Sequence, residues 1–115
     1  MAGKPPRLGI FHHAGDYLVA AMLLLSIGRA HVVGWPLCIG AIALINAAAT
    51  RGPLAAYRRI SIPAHRVIDL VVVAACGLAA VMVRDHRGDS AVLLAVAVVQ
   101  AGVVWLSRLA GRADE

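Results

Sequence analysis

Charge is scarce in this chain: Asp and Glu together number six among 115 residues, and charged residues of either sign make up 15%. A soluble domain carries about 25%, so a water-facing surface is not available here. Aromatic residues are also few, at 4%, too few for the ring-lined site that small multidrug transporters build around a cationic drug. The two cysteines, Cys38 and Cys76, each lie inside an apolar run. With no CxxC and no Cys/His cluster, a paired-cysteine metal site and a disulfide framework are both excluded, and the thiols read as small hydrophobes. No glycine-rich phosphate loop and no nucleophile–base constellation is present. The chain therefore reads as a non-enzyme, with no catalytic residue, no metal and no cofactor assigned.

What is abundant is apolar: 61% of residues are hydrophobic and the mean hydropathy is +0.81. Four runs nearly free of charge stand out, over 14–33 (interrupted by Arg29 and His31), 35–50, 64–83 and 90–109. A bilayer core needs roughly 17 to 25 such residues per helix, which the third and fourth runs meet and the second barely approaches. The runs do not alternate, so a β-barrel is disfavoured; helices satisfy their own backbone in lipid. The expected fold is an all-α, integral membrane four-helix bundle over 14–109, with an N-terminal segment 1–13 and a tail 110–115. Richness in Ala, Val, Gly and Arg accords with a GC-rich bacterial genome.

Orientation follows from Lys and Arg. The N-terminus, the second connection and the C-terminus hold Lys4, Arg7, Arg51, Arg58, Arg59, Arg66, Arg108 and Arg112, while the other two connections hold Arg29, Arg84 and Arg87. This bias places both termini in the cytoplasm of a multi-pass bacterial plasma (inner) membrane protein. The net charge of +5 is then mostly juxtamembrane, suited to anionic lipid headgroups, and no nucleic-acid partner is required. A cleaved signal peptide ending near Ser26-Ile27-Gly28 is the rival reading of the first run; Asp16 inside its apolar core argues against it.

The chain also repeats itself. "HHAGDYLVAAMLLL" set against "HRVIDLVVVAACGL" aligns His12 with His65 and Asp16 with Asp69 at an offset of 53. The same offset carries Asn46 to Val99, beside Gln100, and "TR" at Thr50-Arg51 corresponds loosely to "SR" at Ser107-Arg108. Each copy holds two spans, so the copies enter the membrane in the same direction: a tandem parallel repeat of two hairpins. The H-x-x-x-D-[YL] starts of the first and third runs, Pro36 and Gly40 in the second, and Ile62-Pro63-Ala64-His65 resemble the small four-helix bacterial membrane proteins with SPW repeats. That resemblance spans about His12 to Val83. It implies a fold and a topology, and no activity.

Residues four apart share a helix face, so His12 pairs with Asp16 and His65 with Asp69. Asn46 and Thr50 reach similar depth on the second helix. The expected polar cluster is thus His12, Asp16, Asn46, Thr50, His65 and Asp69, in the cytoplasmic half of the bundle. Its plainest role is to hold helices together through interhelical hydrogen bonds, in a small structural or accessory protein, as a homo-oligomer or part of a larger membrane assembly. The same residues also admit a metal site, since imidazoles and carboxylates are ligands of Zn²⁺, Mn²⁺ and Fe²⁺, or a proton or cation relay in a small transporter. Haem ligation by the two histidines is disfavoured by their shallow position.

His13, about 100° round the helix from His12, is expected at the interface, as are Tyr17, Trp35, Tyr57 and Trp105. Gly40, Ala43, Ala47, Ala75 and Ala79 form small faces for close packing. Arg51, Arg58, Arg59 and Arg66 are expected to meet headgroups or a cytoplasmic partner, around a short interfacial helix after Pro53. The Arg87-Gly88-Asp89 triplet in the loop before the fourth run is uninformative.

Overall fold

Long apolar runs without turn signals have one way to satisfy their amides locally, and the chain takes it four times. α1 is Ile10–Ser26 and tightens into a 3₁₀ turn at Ile27–Arg29; α2 is Gly34–Ala49, α3 Ile62–Met82 and α4 Arg87–Ala113. This computed structural model describes residues 9–50, 56–57 and 59–113, without the side chains of 109–113. Among the described residues there is no strand, only an isolated bridge between Thr50 and Ile60.

The helix bounds differ from those expected in instructive ways. α1 starts at Ile10, so His12 and His13 belong to the helix and not to a leading segment. It ends early because Ser26 turns its hydroxyl onto the Leu23 carbonyl and the last turn tightens. α4 starts at Arg87, three residues ahead of the apolar run, with Asp89 in its first turn, where a carboxylate meets the positive end of the helix dipole. α3 is capped by Ser61, whose side chain accepts from the Ala64 amide, with Pro63 in the first turn where no donor is missed.

At 1.5 Å per residue, α3 is about 31 Å long, enough for a bilayer core, whereas α2 is about 24 Å. Three helical segments, Ile10–Arg29, Ile62–Met82 and Arg87–Arg108, are long and apolar enough to cross a membrane, and Gly34–Ala49 is a shorter apolar helix. Three carbonyls at the end of α2 find backbone donors beyond it: Asn46 O accepts from the Thr50 amide, Ala48 O from Tyr57, and Ala49 O from Arg59 and Ile60. The segment around Pro53 lies outside the described residues; Ala56 and Tyr57 form a bend.

The helices form a closed ring. α1 packs on α2 and α3 on α4 along most of their length, while α1–α4 and α2–α3 contacts close the square. Small residues set the spacing. A Cβ on Gly40 would lie 2.9 Å from Leu24 Cδ2 and 3.1 Å from Leu23 Cβ, and one on Gly15 would lie 2.9 Å from Val103 Cγ2. Ala43, Ala47 and Ala79 are buried as expected of packing faces, with Ala75 half-buried at the same seam. The apolar core runs through Val19, Leu23, Ile39, Val72, Cys76, Leu93 and Val96.

The distribution of polarity inverts that of a soluble protein. His13, Asp16, Asn46, Thr50, His65, Asp69 and Gln100 are buried, while Leu25, Ile45, Leu78, Val98 and Leu106 face outward. An apolar exterior of this extent has no place in water and matches a lipid environment. Trp105 is exposed, whereas Trp35 packs partly against the core.

Candidate functional site

Every polar side chain of the expected cluster comes to one end of the ring, where α1 and α3 begin and α2 ends. His12 and Asp16 sit one turn apart on α1, His65 and Asp69 one turn apart on α3, and both pairs face the bundle axis. Each histidine touches both acids. His12 Nε2 is 3.0 Å from Asp69 Oδ2 and 3.4 Å from Asp16 Oδ2. His65 Nε2 is 2.8 Å from Asp16 Oδ2 and 3.1 Å from Asp69 Oδ2. The two Nε2 atoms are 3.4 Å apart, with the rings tilted at 57°. The pairs expected within each helix are therefore also pairs across the diagonal.

The outer atoms of these four side chains are held in turn. Asn46 Nδ2 on α2 donates to Asp69 Oδ1 at 3.0 Å, and Gln100 Nε2 on α4 donates to Asp16 Oδ1 at 3.3 Å. Thr50 Oγ1 meets His65 Nδ1 at 2.6 Å, and Ser107 Oγ meets His12 Nδ1. Each carboxylate thus takes an amide from the other half of the chain, and each imidazole rests on a hydroxyl. Buried amides and hydroxyls of this kind would be costly without partners, and the second half supplies Gln100 and Ser107 where the first supplies Asn46 and Thr50.

Gln100 and Ser107 were not among the expected cluster. Their signal was present as near-matches in the repeat, but the offsets from Asn46 to Gln100 and from Thr50 to Ser107 exceed that between the histidines. One extra methylene in Gln and the longer α4 absorb the difference. His13 also departs from expectation: it is fully buried, donates from Nε2 to the Ala47 carbonyl at 2.5 Å and stacks on Tyr17 with ring centroids 5.4 Å apart. The physical reason is that the Ala47 carbonyl, in the last turn of α2, lies where a ring on the flank of α1 can reach it. Arg59 and Arg66 are exposed near this end of the bundle, and Arg51 and Arg58 lie outside the described residues.

The opposite end carries a different arrangement. Asp89 accepts from the backbone amides of His31 (2.9 Å) and Val32 (2.8 Å), with His31 stacked on His86 at 4.9 Å. The carboxylate of the Arg-Gly-Asp triplet is therefore a staple between the first connection and α4. A cavity of about 210 Å³ opens beside it, lined largely by apolar side chains such as Val32, Pro36, Val92 and Leu93. With the Asp89 oxygens taken up by amides, the convergent chemistry is at the histidine end. There, His12, Asp16, His65 and Asp69 each offer one ligand atom, all within 4.8 Å of one another.

Compared with protein-family models, curated proteins and solved structures, the chain matches none.

Proposed function

We propose that this chain is a small structural or accessory protein of the bacterial plasma membrane, without catalysis of its own, in which two tandem helical hairpins are clasped by an interleaved His–Asp core. Both termini and the clasp lie on the cytoplasmic side, following the Lys and Arg bias, and Arg51, Arg58, Arg59 and Arg66 meet anionic headgroups or a partner there. The resemblance to the SPW-repeat proteins supports the same topology, and the apolar exterior suits a homo-oligomer or a place in a larger membrane assembly.

One observation carries this reading: the carboxylate of each half is held by the amide of the other, Asp69 by Asn46 and Asp16 by Gln100. Such an exchange ties α1 to α4 and α2 to α3. Interhelical hydrogen bonds in bilayers contribute on the order of 0.6 to 2 kcal/mol each, so the clasp as a whole is worth several kcal/mol. The test is thermal unfolding in mild detergent with a chelator present throughout. Asp16→Asn combined with Asp69→Asn is expected to lower the midpoint clearly; a midpoint equal to the parent's would remove the clasp as the basis of the fold.

A further inference from the structure

Proton accounting at the clasp leads further. Ser107 Oγ donates its hydrogen to the Val103 carbonyl at 2.7 Å, and Thr50 Oγ1 donates its own to the Asn46 carbonyl; both are bonds back along the same helix by one turn. A hydroxyl has one proton. With that proton committed, each hydroxyl oxygen is an acceptor for the imidazole beside it, so His12 and His65 both carry hydrogen on Nδ1. In the neutral ring, Nε2 then presents a lone pair, and both Nε2 atoms point at the centre.

The carboxylates give the same result. Oδ1 of each acid is engaged by an amide, which turns Oδ2 inward. Two nitrogen lone pairs and two anionic oxygens therefore converge, and among the described residues no other donor reaches them. Asp16 Oδ2 is wholly buried and, although 2.8 Å from His65 Nε2, accepts no aligned hydrogen bond. Two positive charges are needed at this point. With protons on both nitrogens, the His12 N–H would serve Asp69 Oδ2 at 3.0 Å while the His65 N–H would be turned at the protonated His12 Nε2 across 3.4 Å, leaving Asp16 Oδ2 unserved; one divalent cation meets all four atoms without that conflict.

The geometry fits the second solution. A tetrahedral Zn²⁺ with bonds of about 2.0 to 2.1 Å to imidazole nitrogen and carboxylate oxygen has ligand–ligand edges of roughly 3.3 Å. Five of the six edges run from 2.8 to 3.4 Å; the sixth, between the two carboxylate oxygens, lies within the 4.8 Å span of the group and is the one the ion would draw in. Outer partners on Nδ1 and Oδ1 are what orient metal-binding histidines and carboxylates elsewhere. Nitrogen ligands favour a transition metal over Mg²⁺ or Ca²⁺, and four protein ligands filling a tetrahedron make a structural site with no coordination position left for a reacting water.

We propose that the centre of the clasp binds one divalent transition-metal ion, Zn²⁺ in the first instance, through Nε2 of His12 and His65 and Oδ2 of Asp16 and Asp69. The proposal deepens the clasp reading and rests on it, by making the ion the element that joins the halves. The experiment uses the full chain without a histidine tag, purified in mild detergent, stripped with chelator and titrated with Zn²⁺, with bound metal read by elemental mass spectrometry. About one Zn²⁺ per chain is expected, together with a rise in the unfolding midpoint.

His65→Gln and Asp69→Asn, taken only where gel filtration and circular dichroism match the parent, are expected to lose the ion. Thr50→Val and Ser107→Ala, which leave all four ligands in place, are expected to weaken it roughly 10- to 100-fold. Loading with Co²⁺ adds a readout of geometry, since tetrahedral N₂O₂ coordination gives intense visible absorption. A stripped parent that takes up no Zn²⁺ or Co²⁺, or folded ligand variants that bind as the parent does, would overturn the metal site. The chelator-treated unfolding experiment judges the clasp independently of either outcome.

Discussion

At the residue scale, the unit that matters is a histidine seated on a hydroxyl. Thr50 and Ser107 each accept from an imidazole Nδ1 while donating to a carbonyl of their own helix, which sets the orientation and tautomer of rings that would otherwise turn freely. Thr50→Val keeps the shape at Thr50 and removes the acceptor. Because His65 is fully buried, its Nδ1–H is then stranded, at a cost of about 1 to 3 kcal/mol. Denaturation of the chelator-treated protein in mixed detergent and SDS is expected to show that loss, and Thr50→Ser to restore most of it. The amides divide the same way: Asn46→Ala and Gln100→Ala each free one carboxylate oxygen, and similar losses for the two would show that the halves share the clasp evenly. The Asn46 role was readable from sequence because it falls four residues before Thr50 on one helix face. Gln100 was not, since its repeat position is displaced by a residue and only packing reveals that the longer side chain makes up the distance.

At the scale of elements, close helix approach depends on Gly15 and Gly40, and Gly77 serves as the control. Gly40 faces Leu23 and Leu24, and the Leu23 Cβ at 3.1 Å from an added Cβ cannot swing aside as a side-chain tip can. Gly40→Val is expected to push α2 from α1 and cost about 1 to 3 kcal/mol. Gly77 on α3 has nothing within 4 Å of an added Cβ, so Gly77→Ala is expected to be neutral or to stabilise by up to about 1 kcal/mol through helix propensity. Unfolding midpoints of the two variants side by side check the contrast. Spacing of Gly40, Ala43 and Ala47 made this seam legible in the sequence, because small residues three and four apart must share a face. The ends of the helices were less legible. α1 begins at Ile10 and α4 at Arg87, ahead of the runs that hydropathy marks, and the Ser61 cap and the Asp89 bonds to the first connection are hydrogen bonds that hydropathy does not report.

On the scale of the whole molecule, the buried polar residues and the apolar exterior match a lipid surrounding, and the proposed direction of insertion rests on the Lys and Arg distribution. On the proposed topology, with both termini inside, the connection between α3 and α4 would face outward. A cysteine at Asp85, an exposed position in that connection, is expected to react with a membrane-impermeant maleimide on intact cells after Cys38 has been replaced by Ala. A cysteine at Arg59 is expected to react only after the membrane is opened. The reverse pattern would invert the topology and place the clasp on the outer side.

Four apolar segments, their helical character and the placing of His12 with Asp16 and His65 with Asp69 were determined by the sequence itself, because hydropathy and the 3.6-residue period are local properties. The tertiary structure alone decided that the two pairs meet. That depends on α1 and α3 standing diagonally in a closed ring, a matter of how small residues let α2 and α4 approach. It also decided which atoms face inward: Gln100 and Ser107 arrive from the far end of the chain to occupy the outer nitrogens and oxygens. Only contacts so distant in sequence turn two ordinary helix-face pairs into one centre of four converging lone pairs.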